Sequence, residues 1–109
     1  MSNSCMFTMA MYRPHPGKED ELAEIVKEHV PMLREEGLIT DFTPVTLQSA
    51  DGTLIEIFEW LSEEAKDKAH TSPKVWPLWE KMMKVAELVS LSSLPEADKP
   101  FPNFKRVTL

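Results

Sequence analysis

One histidine, His70, stands where a charged run ends in EWLSEEAKDKAHTSP, residues 59–73, just before Thr-Ser-Pro. Histidine changes its charge near neutral pH, so this side chain could act as a general base or hold a substrate hydroxyl. It could equally close a helix, because an imidazole at a helix carboxyl end interacts favourably with the dipole and the free carbonyl groups. Both roles fit the position, and we expect His70 to be the catalytic residue if the protein is an enzyme.

Aromatic side chains form the second group of candidates. Rings that stack at an offset, with a few polar groups among them, are the usual lining of a pocket for a flat ligand. The same rings would serve equally well in an ordinary core or at a dimer contact. The candidate ligand-binding residues are Tyr12, Phe58, Trp60, Trp76, Trp79 and His29.

Two of the polar candidates, His29 and Glu56, could have a structural role instead of a functional one. His29 lies on the apolar stripe of a predicted helix, where a hydrogen-bonded core histidine is an alternative to a catalytic one. Glu56 shares a strand face with Phe58 and Trp60 and could serve as an acid or base if buried. A solvated glutamate at a sheet edge is the more ordinary interpretation of Glu56.

The sequence lacks the residue patterns typical of metal binding, phosphate binding and catalysis by a serine nucleophile. The three histidines and the single cysteine show no paired spacing of the kind that binds a metal, so no metal site is expected. The three glycines each punctuate a turn, and no glycine loop could cradle a phosphate. There is also no Gly-x-Ser-x-Gly elbow, which leaves the chain without a nucleophile signature.

The composition of the chain argues against two classes of partner, nucleic acids and membranes. The net charge of −6, from 18 acidic and 12 basic residues, repels phosphate backbones, so nucleic acid is not an expected partner. No window approaches the roughly 20 apolar residues that cross a bilayer, so no membrane partner is expected either. Cys5 has no second cysteine with which to pair, which favours a cytoplasmic location.

The elements that would position these residues can be predicted from periodicity. Residues 5–12 alternate as a strand, and the pattern changes near Lys18 to that of an amphipathic helix, with a kink or an early end near Pro31. Asp51-Gly52 joins two strands in a hairpin. Ser62 begins a second helical segment, interrupted at residues 71–73, and residues 87–94 form a last strand.

This order of elements is βαββαβ, the split βαβ arrangement of an α+β, ferredoxin-like sandwich. Both helices would cover one sheet face and leave an apolar face bare, which a homodimer pairing sheet with sheet would cover. We expect one domain over residues 1–94, followed by an extended C-terminal arm, residues 95–109, that could pack on the partner subunit.

Three stretches resemble a known family: RPHPGKEDELAEIV, REEGLITDF and EWLSEEAKDKAHTSP. They are similar to the strand end and Pro-Gly turn, the helix-ending glycine, and the Trp, Ser, Glu-Ala, His and Ser-Pro pattern of the antibiotic biosynthesis monooxygenase family. That family belongs to the dimeric α+β barrel superfamily. The resemblance covers about residues 5–94.

The resemblance implies a homodimeric barrel with one ligand pocket per subunit, between helices and sheet. Some members oxygenate electron-rich aromatic polyketides with O₂ and no flavin, metal or haem, so no cofactor is expected. Others degrade haem with an asparagine on the first strand and a late histidine, where this chain has Thr8, Ala10 and Trp79.

The expected function is therefore cofactor-independent monooxygenation of a small quinol-like or polyketide-like aromatic compound. In it, Tyr12 and Trp60 would position the ring and His70 would assist proton removal. The alternatives are a non-catalytic binding or regulatory dimer, and an isomerase or lyase of the same fold.

Overall fold

The computed structural model describes residues 5–109 and begins its sheet with β1, Met6–Pro14. Side chains alternate along β1 as expected of a strand, and Tyr12 is buried while Phe7 and Met9 are exposed on the opposite face. The first helix, α1, covers Glu19–Glu35 and buries its apolar stripe, including Leu22, His29 and Leu33. Gly37 follows it with a φ of 72°, the left-handed conformation that ends a helix.

The predicted hairpin is confirmed. Strand β2, Val45–Gln48, pairs antiparallel with β3, Leu54–Trp60. The turn between them is closed by a bond from the Ser49 amide to the Thr53 carbonyl (2.9 Å), and Gly52 supplies its positive φ of 93°.

The second helical segment is two helices, as the interruption in the sequence predicts. Helix α2 covers Glu63–Ala69, and its Ser62 cap accepts a hydrogen bond from the Ala65 amide. Helix α3, Val75–Val85, leads directly into β4, Ala86–Leu88. A single turn of 3₁₀ helix follows at Leu91–Ser93.

The five strands form one antiparallel sheet in the order β4-β1-β3-β2-β5, where β5 is Lys105–Arg106. The first four strands and the helices give the predicted ferredoxin-like α+β fold, with β3 in the centre. The helices cover the face that carries Tyr12, Phe58 and Trp60, and two apolar core clusters lie between these layers.

Two expectations about single elements need correction. Of the alternatives given for Pro31, an early end near Val30 is wrong, because α1 continues through Pro31 to Glu35, while a kink stays a prediction. Pro31 and Lys27 are both exposed, so the carbonyl group that loses its donor can be hydrated. The predicted last strand is shorter than expected and ends at Leu88, because the chain turns into the 3₁₀ helix, where the Ser93 hydroxyl and amide donate to the Ser90 carbonyl.

The C-terminal residues return to their own sheet. Ser93 accepts a bond from Arg13, Glu96 bonds to Ser49, and β5 pairs with β2 at the far edge. Between β4 and β5, which lie at opposite edges, the chain contacts Arg13 of β1 and the hairpin residues Ser49 and Ala50. The boundary at residue 94 and a contact of the arm with a second subunit stay predictions. In the part of the chain described, every helix is too short or too polar to span a bilayer.

Candidate functional site

A cavity of about 480 Å³ lies between the sheet and helices α2 and α3. Its floor is the helix-side face of β1 and β3, and α3 forms its wall with Trp76, Trp79, Met82 and Met83. All seven predicted site residues line it: Tyr12, His29, Phe58, Trp60, His70, Trp76 and Trp79. The fold therefore brings the candidates together, while their roles toward a ligand stay predictions.

The rings around the cavity meet edge to face. The centroids of Phe58 and Trp60 are 5.0 Å apart at an interplanar angle of 75°. His70 and Trp79 lie 5.1 Å apart at 77°, and Trp76 and Trp79 lie 6.0 Å apart. Such contacts favour fixed ring positions, so each ring of the aromatic wall is held by its neighbours.

Behind this wall is a buried polar network centred on Glu56. Its Oε1 atom accepts a hydrogen bond from the Tyr12 hydroxyl at 2.9 Å and lies 2.7 Å from Nδ1 of His29. On the other side of the imidazole, Nε1 of Trp79 donates to Nε2 of His29 at 2.7 Å. Four side chains from β1, α1, β3 and α3 are thus joined through one carboxylate.

The hydrogen-bond directions assign the tautomer of His29. An indole N–H can only donate, so Nε2 of His29 must carry a lone pair. The proton of the neutral ring is then on Nδ1, which donates to Glu56. Both nitrogens of His29 are engaged, so the ring holds Trp79 in place and has no free site for a substrate proton.

Tyr12 is held in its neutral form. Burial raises the pKa of its hydroxyl well above the ordinary value of 10.0, and the neighbouring charge of Glu56 and the hydrogen bond to it act in the same direction. The Tyr12 hydroxyl is therefore a hydrogen-bond donor and not a base.

His70 differs from His29. It is the exposed residue that ends α2, and its Nδ1 lies 3.1 Å from the Lys66 carbonyl oxygen. A carbonyl oxygen only accepts, so Nδ1 carries a hydrogen, and in the neutral ring the lone pair is on Nε2. The ring therefore ends the helix and also lines the cavity, and its role as a base stays a prediction.

Glu56 was assigned wrongly from its sequence. It is buried, with 1% of its surface exposed, instead of solvated at an edge. Strand β3 pairs with β1 on one side and β2 on the other, so none of its residues is at an edge. The signal was its shared face with Phe58 and Trp60, but the donors that make its burial favourable are 27 and 44 residues away.

Metal coordination has no candidate in the described part of the chain. Among residues 5–109, no three His, Cys, Asp or Glu side chains come together in a way that could hold a metal ion. The cavity is lined by apolar groups with Thr8, Tyr12 and the two histidines among them.

The fold and this cavity define a class, the ferredoxin-like α+β proteins with a pocket between sheet and helices. A solved structure of a conserved protein from Methanosarcina mazei Go1 has the same fold, with a TM-score of 0.67. Its sequence is 17% identical, and the match covers 81% of this chain and 89% of that one. No protein-family model and no curated protein sequence match this chain.

Proposed function

We propose that this chain is a cofactor-independent monooxygenase-like protein that acts on a small aromatic compound, quinol-like or polyketide-like. The observation that carries the proposal is the unequal use of the two histidines beside an aromatic cavity. His29 uses both ring nitrogens in contacts with Glu56 and Trp79, whereas His70 uses Nδ1 and, as a neutral ring, has its lone pair on Nε2. A base beside stacked rings suits proton removal from a bound phenol or activated methylene group.

The reaction can be written for an anthrone. His70 takes a proton from the ring methylene, and the resulting carbanion transfers electrons to O₂ and forms a C–O bond. The peroxide anion then takes the proton back from His70 and becomes a hydroperoxide. The hydroperoxide then loses water as its O–O and second C–H bonds break. Anthrone and O₂ give anthraquinone and H₂O, with carbon oxidised and oxygen reduced, so the substrate itself is the reductant.

The aromatic residues that line the cavity support an aromatic substrate. Trp60 and Trp79 flank a cavity whose volume falls in the usual range for small-molecule sites, roughly 300–1,000 Å³. Trp76 is 39% exposed beside them and could close over a bound ring. Tyr12, as a donor already used by Glu56, would help to orient the ring chiefly through its apolar surface.

We further propose a homodimer of the α+β barrel kind, working in the cytoplasm. The sheet face opposite the helices carries a row formed by Met9, Ile57 and Val45 across three strands. Phe7 on the same face is 59% exposed. A second copy of this chain, placed face to face, would remove these groups from water.

Oxygen uptake tests the proposal. Purified protein treated with a chelator is given anthrone and naphthohydroquinones in an oxygen electrode, beside His70→Ala and the control His15→Ala. His15 is exposed in the turn after β1 and outside the cavity. We expect uptake by the wild type and His15→Ala, with one H₂O and no H₂O₂ formed per anthrone, and a loss of at least about tenfold in His70→Ala.

Binding without turnover is the second candidate. This role is favoured because the polar atoms of Tyr12 and His29 already form hydrogen bonds within the protein, so few polar groups of the cavity are free to react with a ligand. Quenching of tryptophan fluorescence by a naphthol, with no oxygen uptake by any variant, would support this binding role and reject the monooxygenase. An isomerase or lyase would convert its substrate without consuming O₂.

A further inference from the structure

A second cavity, of about 720 Å³, lies on the other side of Glu56. Helix α1 forms one wall, the residues that lead into β2 form another, and the chain from β5 onward forms the third. It shares none of its lining residues with the aromatic cavity. The two cavities are therefore separate sites, with Glu56 between them.

Three cations surround this second cavity: Lys27, Arg34 and Arg106. All three are exposed, and within residues 5–109 none of them forms an ion pair. Arg34 donates from Nη2 to the Phe42 carbonyl at 3.2 Å, which leaves most of its donors free. In a protein of net charge −6, three cations and one carboxylate, that of Glu56, around a single cavity give its lining an excess of positive charge.

The interior of this cavity is mostly apolar, in contrast to its charged rim. Val26, Val30, Phe42 and Val107 supply apolar surface below the charged groups. At the bottom is the Glu56 carboxylate, whose Oε1 already accepts from Tyr12 and lies beside His29. An occupant must therefore be anionic at one end and apolar or hydrogen-bond donating at the other.

We propose that this second cavity binds a small organic carboxylate with an apolar body. The carboxylate lies among Lys27, Arg34 and Arg106, because the planar guanidinium fork matches a carboxylate in two parallel hydrogen bonds. The apolar body lies against Val26, Val30 and Val107. A single negative charge suits the site better than the two of a phosphate ester, since Glu56 brings a like charge into the same cavity.

The test measures calorimetric binding of octanoate to the full chain, with octan-1-ol and octyl phosphate as comparison ligands. These probes have no ring, so they do not compete for stacking in the aromatic cavity. We expect octanoate to bind more tightly than both, with an affinity that weakens as salt is added.

Two variants locate the site. Arg106→Gln and Lys27→Gln remove exposed cations that make no ion pair in the described chain, so the fold is expected to persist. The matched control is Lys105→Gln, which removes the same charge from the neighbouring residue of β5, outside the cavity. We expect octanoate to bind about five- to tenfold more weakly to each of the first two, and within about twofold of wild type to the control.

Three results would overturn the assignment. No heat at millimolar octanoate at either of two well-separated temperatures would show that the cavity does not take a carboxylate. Equal weakening in Lys105→Gln would indicate general attraction to a basic surface. Tighter binding of octyl phosphate would replace the carboxylate by a phosphate ester. Oxygen uptake is measured independently, so none of these outcomes depends on the proposed monooxygenase activity.

Discussion

Nε1 of Trp79 and Nε2 of His29 are joined by a hydrogen bond of 2.7 Å that links the wall of the aromatic cavity to the buried carboxylate of Glu56. The indole on α3 is thereby held through the imidazole on α1 to the central strand. Trp79 in turn packs edge to face against His70. The position of the candidate base thus depends on a network in which it takes no direct part.

The first prediction concerns this network. His29→Leu removes the donor to Glu56 and the acceptor for Trp79, and leaves a buried carboxylate with Tyr12 as its hydrogen-bond partner. We expect the free energy of unfolding to fall by about 3 kcal/mol, because a buried carboxylate loses one of its two hydrogen-bond donors and the indole N–H of Trp79 loses its acceptor. Urea unfolding measures the change.

A double variant provides the control. His29→Leu combined with Glu56→Gln removes the uncompensated charge, so its loss of unfolding free energy should be smaller than the sum of the two single losses. Strict additivity would mean that the two side chains do not interact, contrary to their 2.7 Å contact.

The second prediction uses Tyr12, the one tyrosine of the chain. Its pKa is raised by burial first and by Glu56 second, so the folded state keeps the proton at pH values where the unfolded state releases it. Stability should therefore decrease as the pH rises above the ordinary value of 10.0. Absorbance at the tyrosinate band should appear only together with loss of tertiary structure, and a reversible titration of the folded protein near that value would contradict this.

Much of the fold could be predicted because its signals are local. The helix pattern after Lys18, the cap at Ser62 and the turn at Asp51-Gly52 each depend on residues close in sequence. Their order was enough for the ferredoxin-like arrangement. Alternation along β3 placed Phe58 and Trp60 on one strand face, and the pairing of β1 with β3 brings Tyr12 to that face.

The errors have the opposite origin, in contacts between distant residues. Glu56 was taken for a solvated side chain because the partners that satisfy it, His29 and Tyr12, come from two other elements. An early end of α1 at Pro31 was expected because proline cannot donate to the Lys27 carbonyl. The sequence does not show that Lys27 is exposed in the folded helix, where its carbonyl can be hydrated instead. Similarly, β5 is only two residues long, too short to show a period.

The third prediction tests the dimer. Met9→Lys places a charge on the exposed apolar sheet face, where Met9 is 39% exposed. If two copies pair through this face, the charge should convert a dimer to a monomer in sedimentation experiments, because burying an unpaired ammonium is costly. Thr71→Lys adds the same charge on the helix side and should leave the dimer intact. A wild type that sediments at 12.5 kDa at micromolar concentration would refute the dimer.

The fourth prediction concerns the contact that holds the C-terminal segment to the hairpin. Glu96 accepts hydrogen bonds from the Ser49 hydroxyl at 2.7 Å and the Ala50 amide at 2.9 Å. These bonds, the one from Ser49 first, lower the pKa of Glu96 below its ordinary value. The contact therefore stabilises the fold above the pKa of the unfolded carboxyl group, and this stabilisation is lost as the pH falls through the lower pKa of the folded state.

Amide hydrogen exchange at Ala50 measures this contact directly. Protection of the Ala50 amide should decrease in acid, with a midpoint below the ordinary range for glutamate, after correction for the intrinsic exchange rate. Glu96→Gln weakens the acceptor and should remove the pH dependence, whereas Glu87→Gln changes an exposed carboxylate on β4 and should preserve it. If Glu96→Gln keeps the wild-type profile, another group controls the segment, and the Ser49–Glu96 bond does not hold it in place.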